Sequence, residues 1–315
     1  MKKRGILLVN LGTPENTSAQ ALRKYLKKFL SDRRVIKTHP LLWQPLLNGI
    51  ILNTRPKKSA KLYEKIVKDG EFPLLTYTAA QEKKLQEICP DIEVAMGMSY
   101  SEPSIESSLE TLLSKGVEEL TVLPMYPQYS GTTVGSVFDS VMNFFLKKDH
   151  IVDLKFIRSF YKEPLYIKYF AEKIKETLAN EEDIEAVVFS YHGIPLSYVT
   201  DGDDYPDECT ETTRLIMEEL GDFPHYQTYQ SKFGPAEWLT PATDDTLKKL
   251  PGQGVKKILI VAPGFVVDCL ETIEELEEEN KEYFLENGGE KYVYVSPFNE
   301  DMAFAELVKE IAEEK

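Results

Sequence analysis

Val187-Val-Phe-Ser-Tyr-His-Gly-Ile-Pro195 is the stretch whose reading decides the fold. It opens as a short apolar run of β-type residues and closes on Tyr191-His192-Gly193-Ile194-Pro195. An apolar run bounded by Gly and Pro reads as a buried strand ended by a turn. That reading leaves an imidazole at the carboxyl edge of a sheet, the edge where open α/β folds hold ligands. The other three histidines are less telling: His39 precedes Pro40, His150 ends a Lys-rich stretch, and His225 sits at a helix-to-strand turn. A lone His after a strand is more often structural than chemical, so the rest of the chain must decide its role.

Outward from that strand, β-type and helical runs alternate. Ahead of it lie strands over 6–10, 93–98, 119–124 and 152–157, with helical spacing over 18–30, 57–68, 78–88, 105–115, 134–146 and 165–178. Behind it come strands over 226–229, 257–262 and 292–295, with helices over 210–220, 243–249, 270–286 and 302–313. Leu41–Leu52 is an apolar, Trp-bearing stretch that reads either as core or as a lip over a pocket. Alternating strands and helices imply parallel sheets with right-handed crossovers. The halves punctuate alike, with Gly12-Thr-Pro14 after the first strand of one and Gly193-Ile-Pro195 after the first strand of the other. The expected fold class is α/β, with two similar Rossmann-like lobes facing one cleft. The first lobe covers 1–158 and the second 159–315, with the last helix able to pack back across the first. A G-x-G-x-x-G motif is absent, so the cleft need not hold a dinucleotide.

The composition narrows the partners. A net charge of -15 argues against nucleic acid and leaves cationic partners open. Three cysteines, Cys89, Cys209 and Cys269, are far apart and form no C-x-x-C, which suits a reducing compartment. The apolar run after Met1-Lys-Lys-Arg is too short for a secretory signal, and no run approaches a membrane span. The expected location is the cytoplasm and the expected state a monomer.

Chemistry gathers around 262–279. Glu271, Glu275 and Glu279 stand four residues apart and stack on one helical face. Glu271 could simply complete a capping box with Asp268, and Glu274, Glu277, Glu278 and Glu282 could be a solvated face. The helix nevertheless starts just after a strand, at the same sheet edge as His192. An imidazole and a carboxylate placed together can ligate a divalent metal or move protons near neutral pH. Tyr126-Pro-Gln-Tyr-Ser130, at another strand end, offers aromatic and hydroxyl groups as a wall for a large planar ligand, or else a Pro-ordered packing loop. Trp238 reads as core or as one face of an aromatic clamp. Arg33, Arg34 and Arg55 supply cations for a carboxylate-bearing substrate.

Together these residues resemble the ferrochelatases, which insert ferrous iron into a porphyrin to make haem. The resemblance is carried, in order, by Gly5-Ile-Leu-Leu-Val-Asn-Leu-Gly-Thr-Pro14, Leu123-Pro-Met-Tyr-Pro-Gln-Tyr-Ser130, Ser190-Tyr-His-Gly-Ile-Pro195, Tyr229-Gln-Ser-Lys232 with Trp238-Leu239, and Asp268-Cys-Leu-Glu-Thr272. It implies two Rossmann-like lobes around a porphyrin cleft, with His192 and Glu271 as the catalytic and metal-handling pair. Glu275 and Glu279 would continue an acidic ladder on a partly π-wound helix. Leu11, Tyr126 and Trp238 would line the macrocycle, with Arg33, Arg55 and Ser130 as further porphyrin-binding candidates. Some relatives carry His at Cys269. Gly131 stands where the animal enzymes have an iron–sulfur cysteine, so no cluster and no prosthetic group is implied, and Fe²⁺ enters as substrate. A peripheral membrane contact through Leu41–Leu52 stays open.

Relatives acting on coproporphyrin III often have Tyr at the Leu11 position. Leu11 therefore favours protoporphyrin IX, with coproporphyrin III as the second candidate. Two other classes are compatible with parts of the pattern: a non-catalytic haem or porphyrin carrier, and a chelatase for another metal. A carrier would not need the acidic ladder, and Glu271 stands where such chelatases tend to have a second His.

Overall fold

The structure, a computed structural model, describes residues 2–232 and 234–314. The chain divides into two compact units, Met1–Ser159 with Glu300–Lys315, and Phe160–Asn299.

The first unit is a parallel sheet of β1 (Arg4–Asn10), β2 (Ile92–Met98), β3 (Glu119–Pro124) and β4 (Asp153–Phe156), in the order β2-β1-β3-β4. β1 is buried from Gly5 to Asn10, as expected of a strand covered on both faces. Between β1 and β2 run α1 (Ala19–Ser31), α2 (Pro40–Leu46), a π-wound segment Leu47–Ile51, α3 (Leu52–Ile66) and α4 (Pro73–Ile88). Ser18 caps α1, its side chain accepting from the Ala21 N–H. α5 (Ile105–Ser114) and α6 (Val134–Phe145) link the later strands.

The stretch 41–52 is helical, and it divides between the two expected readings. Trp43, Leu47 and Leu52 turn inward onto Tyr25, Leu26, Leu30 and Tyr100, and the Trp43 indole donates to the Leu30 carbonyl at 2.7 Å. Leu41, Leu42, Leu46 and Ile50 are exposed. The helix survives Pro56 because its freed carbonyl finds a new donor. Proline leaves the carbonyl four residues earlier without its N–H, and Arg23 Nη1 donates to that carbonyl, Leu52 O, at 2.6 Å.

The second unit repeats the pattern. β5 (Ala186–His192), β6 (His225–Gln230), β7 (Lys257–Val261) and β8 (Lys291–Val295) form a parallel sheet in the order β6-β5-β7-β8. α7 (Pro164–Asn180), α8 (Leu196–Thr200), α9 (Tyr205–Leu220) and α10 (Thr243–Lys249) accompany it. A π-wound segment, Glu271–Glu279, runs on into α11 (Asn280–Glu286). The last helix, α12 (Met302–Glu313), groups with the first unit, so the second unit ends at Asn299 where the sequence reading carried it to 315. The reason is packing: α12 lies on α4 and buries Phe304, Leu307, Val308 and Ile311.

In both sheets the chain steps from the first strand to one side and then returns to the other. The switch points therefore lie between β1 and β3 and between β5 and β7. Such points open a crevice at the carboxyl ends of the strands.

Candidate active site

His192 is the last residue of β5, and the π-wound segment follows β7, so the second unit's switch point brings His192 and Glu271 to one sheet edge. The ring of His192 is half-buried, with Nδ1 2.7 Å from the Gly193 carbonyl oxygen. A carbonyl only accepts, so Nδ1 carries the hydrogen and Nε2 is left with the lone pair. Gly193 is held tightly. Its N–H donates to the Gln230 carbonyl at 2.8 Å, and a Cβ there would meet Gln230 O at 3.0 Å and Trp238 Cε3 at 3.2 Å. Trp238 thus packs over the residue after His192, joined to the same turn by an antiparallel bridge to Pro195.

The capping-box reading of Glu271 gives way to a different cap. The Asp268 N–H donates to Asn299 Oδ1 at 2.7 Å. The Asp268 carboxylate accepts from Thr272 Oγ1 at 2.7 Å, Tyr294 OH at 2.8 Å and Asn299 Nδ2 at 2.6 Å. Thr272 and Asn299 close this end of the helix, and the carboxylate of Glu271 is not needed for it. Glu271 is half-buried. Burial and then the charge of Glu271 hold the neighbouring Cys269 thiol well above the ordinary cysteine value. Cys269 is therefore a protonated, enclosed thiol; Cys89 and Cys209 are also free and buried.

Glu275 is clasped by Ser231, the residue just after β6. The Ser231 N–H donates to Oε1 at 2.7 Å and its hydroxyl to Oε2. Ser231 takes φ of 65° to make this grip, a left-handed backbone uncommon for a residue with a Cβ. Burial raises the Glu275 carboxyl above its ordinary value. The Ser231 hydroxyl and the charge of His192 oppose the rise, and the charge of Glu271 adds to it. Glu279 is exposed and accepts from Tyr283 OH at 2.6 Å. The ladder thus runs from half-buried Glu271 and Glu275 to solvent at Glu279. The solvated-face reading holds for Glu277, Glu278 and Glu282, while Glu274 is buried. Among the described residues, no group of three or more His, Cys, Asp or Glu side chains is gathered as a metal-binding set. His192, Glu271, Glu275 and Glu279 do not form one.

The other candidates lie in the first unit. Leu11 and Tyr126 follow β1 and β3 at that unit's switch point, both half-buried. Leu11 packs against the cluster of Tyr25, Leu26 and Tyr100. Ser130 is buried, its hydroxyl 2.9 Å from Thr132 Oγ1 and accepting the Thr132 N–H, so it serves its own loop. Arg33 is exposed in the turn after α1, and Arg55 is half-buried on α3. Arg34 is bound to Asp139 by two hydrogen bonds of 2.7 and 2.8 Å. Sequence reasoning did not find the clasp on Glu275 or the part played by Gln230. The signal for both was a run of polar residues, Gln227, Thr228 and Gln230, inside a strand.

Comparison with known proteins gives one consistent answer. The ferrochelatase family model matches residues 3–315. A coproporphyrin III ferrochelatase of Enterococcus faecalis is 72% identical over 311 residues, 99% of each chain. One of Lactococcus lactis is 49% identical over 316 residues, 99% of this chain and 98% of the relative. Among solved structures, SirB from Bacillus subtilis with Fe³⁺ superposes with a TM-score of 0.61 at 13% identity, covering 99% of this chain and 96% of that one. At that identity the likeness concerns the fold alone.

Proposed function

This chain belongs to the ferrochelatase family, and we propose that the porphyrin it metallates is coproporphyrin III. It is an enzyme of haem synthesis that inserts iron into a porphyrin, which sets aside the carrier and the other-metal chelatase. The choice of porphyrin reverses the expectation drawn from Leu11. What carries the proposal is the 72% and 49% identity, over nearly whole chains, to two enzymes bearing the coproporphyrin name. A single position weighs less than agreement along the whole chain. Chemistry supports the same choice: coproporphyrin III carries four propionates where protoporphyrin IX carries two propionates and two vinyls. An overall charge of -15 then makes local cations such as Arg33 and Arg55 the natural partners of those extra carboxylates.

A free-base porphyrin holds two pyrrole N–H protons, which must leave as the metal enters. In this reading His192 Nε2 accepts a pyrrole proton, since Nδ1–H is engaged with Gly193 O. The imidazolium so formed lies in the field of Glu275, which already senses the charge of His192, and of Glu271. The proton passes along Glu275 toward Glu279 and solvent, and His192 is free for the second. Glu271 faces the incoming Fe²⁺ with a hard oxygen ligand beside the His192 nitrogen. Both substrates are consumed, so no resident prosthetic group is required.

The test is anaerobic insertion of Fe²⁺ and Zn²⁺ into coproporphyrin III and protoporphyrin IX in parallel, followed by absorbance, with His192→Ala alongside. Preferred turnover of coproporphyrin III, abolished in the variant with porphyrin binding kept, is the expected result. A higher kcat/KM for protoporphyrin IX would return the choice to what Leu11 suggested.

A further inference from the structure

Gln230 bonds both to the turn after His192 and to the first residue of the π-wound segment without being part of the chemistry assigned to the site. It is the last residue of β6, buried, and paired in register with His192. Its backbone carbonyl takes the Gly193 N–H at 2.8 Å, which fixes the turn after His192. Its side-chain Nε2 donates to the backbone carbonyl of Glu271 at 2.9 Å, across to the first residue of the π-wound segment. Its successor in the chain, Ser231, clasps Glu275.

The direction of the amide is not free. The Glu271 carbonyl only accepts, so the nitrogen end must face it, and Ser190 Oγ then donates to Gln230 Oε1 at 2.8 Å. Ser190 is itself 2.8 Å from Thr243 Oγ1. Thr243 donates to Thr228 at 2.9 Å, and Thr228 to the Phe189 carbonyl at 3.1 Å. These side chains are all buried. Three hydroxyl hydrogens serve these four contacts, so Thr243 shares its one hydrogen between Ser190 and Thr228, and the network holds the Gln230 amide in a buried polar setting.

We infer that Gln230 is a positioning residue. Through the Gly193 N–H that it accepts on one side and the Glu271 carbonyl to which it donates on the other, it sets the spacing of His192 and Glu271. The inference rests on the reading of those two residues as the reacting pair. A π-wound segment has wider turns and poorer internal bonding than an α-helix, so an outside donor at its first residue decides where Glu271 stands. Catalysis by positioned groups is steep in distance: a misplacement near 1 Å costs about 100-fold in rate.

The experiment compares wild type, Gln230→Met, Glu271→Gln and the double variant. Porphyrin affinity is read by fluorescence quenching, and kcat and KM by Zn²⁺ insertion into coproporphyrin III. Gln230→Met keeps the length of the side chain and removes the donor. The expected result is a kcat loss approaching 100-fold with porphyrin affinity within about threefold. Because the loss acts through Glu271, the double variant should be no slower than Glu271→Gln alone. A wild-type kcat in Gln230→Met, or losses that multiply in the double variant, would overturn the positioning role. Should Gln230→Met not fold, Ser190→Ala decides: it removes the hydroxyl that holds the oxygen end of the amide, which loosens the donor to the Glu271 carbonyl, and the same non-additive loss with Glu271→Gln is expected at smaller size. Additive loss, or none, rejects the inference. His192→Ala serves as the separate check, since full activity there removes the reacting pair itself whatever Gln230 does.

Discussion

At the carboxyl end of β1 stands Asn10, and at the carboxyl end of β5 stands His192. Each is the seventh and last residue of a first strand that runs between the second and third strands of its sheet. The Asn10 side chain is closed upon the fold. Its Nδ2 donates to Thr78 Oγ1 at 3.1 Å and its Oδ1 accepts the Leu11 N–H at 2.8 Å. The His192 ring is closed at Nδ1 only. Beyond β3 comes an aromatic loop with Tyr126, and beyond β7 a glutamate ladder. One topology thus carries a neutral, satisfied end in one unit and an acidic, half-open end in the other. The lesson is that topology offers a crevice at both switch points, and side-chain satisfaction tells which one is left with reactive groups.

The sharpest way to break that contrast is to truncate both terminal residues. His192→Ala should lower kcat for metal insertion by about 10³-fold, within the range for a positioned acid–base group, with little change in melting temperature. Asn10→Ala should do the reverse. It strands the Leu11 N–H, leaves the Thr78 hydroxyl only its bond to the Leu74 carbonyl, and so costs about 1–3 kcal/mol of stability, while folded protein keeps kcat within about threefold. Denaturant melts and steady-state rates on both variants check this, and similar rate losses in the two would end the distinction.

The two glycines after these strands sharpen it further. Gly12 has φ of 99°, and a Cβ there would lie 2.3 Å from Ser101 Oγ. Gly193 needs its small size for another reason, the approach of Gln230 O and Trp238. Gly12→Ala combines backbone strain with a clash and should destabilise by about 2–3 kcal/mol. Gly193→Ala should cost about 1–2 kcal/mol, yet it pushes on the residue that holds the His192 ring. We expect its kcat to fall about tenfold, with Gly12→Ala affecting rate less per folded molecule. Rates normalised to folded fraction separate the two effects.

Much of this was legible beforehand, for physical reasons. Glu119–Pro124 and Met302–Glu313 stand where periodicity put them because parallel strands and amphipathic helices write their burial into the residue order. His192 and Glu271 were legible as neighbours because a sheet edge is set by where apolar runs stop. What stayed hidden depends on groups distant in sequence. The helical reading began only at 57, and only the folded chain places Arg23 at the stranded Leu52 carbonyl that lets the helix run through Pro56. The cap that displaced Glu271 needs Asn299, far along the chain. The Gln230 and Ser231 contacts cross from a strand to a helix, and the polar run 227–230 marks the strand without naming the partner. Leu11 is weak ground for choosing the porphyrin because it packs on its own hydrophobic cluster, so its identity reports that packing as much as any ligand.

The smallest effect expected concerns the ladder, which has no counterpart in the first unit. Burial lifts the Glu275 carboxyl, so the folded state holds its proton to higher pH than the unfolded chain does. Stability from that proton is present below the unfolded value and is lost as pH rises through the folded one. Above that window the ionised Glu275 weakens the fold, and the Ser231 clasp offsets part of the loss. Glu275→Gln removes the titration and should flatten the stability curve there, leaving the variant as stable as wild type or slightly more so at neutral pH. Ser231→Ala should act in the opposite sense, because it keeps the positive φ and deletes one donor, whereas Ser231→Gly relieves the backbone and should melt above Ser231→Ala. Urea melts from pH 4 to pH 8 on these variants test the order. A Glu275→Gln curve that falls with pH as steeply as wild type would show that the titration of Glu275 does not cause the fall, the clasp having offset its burial.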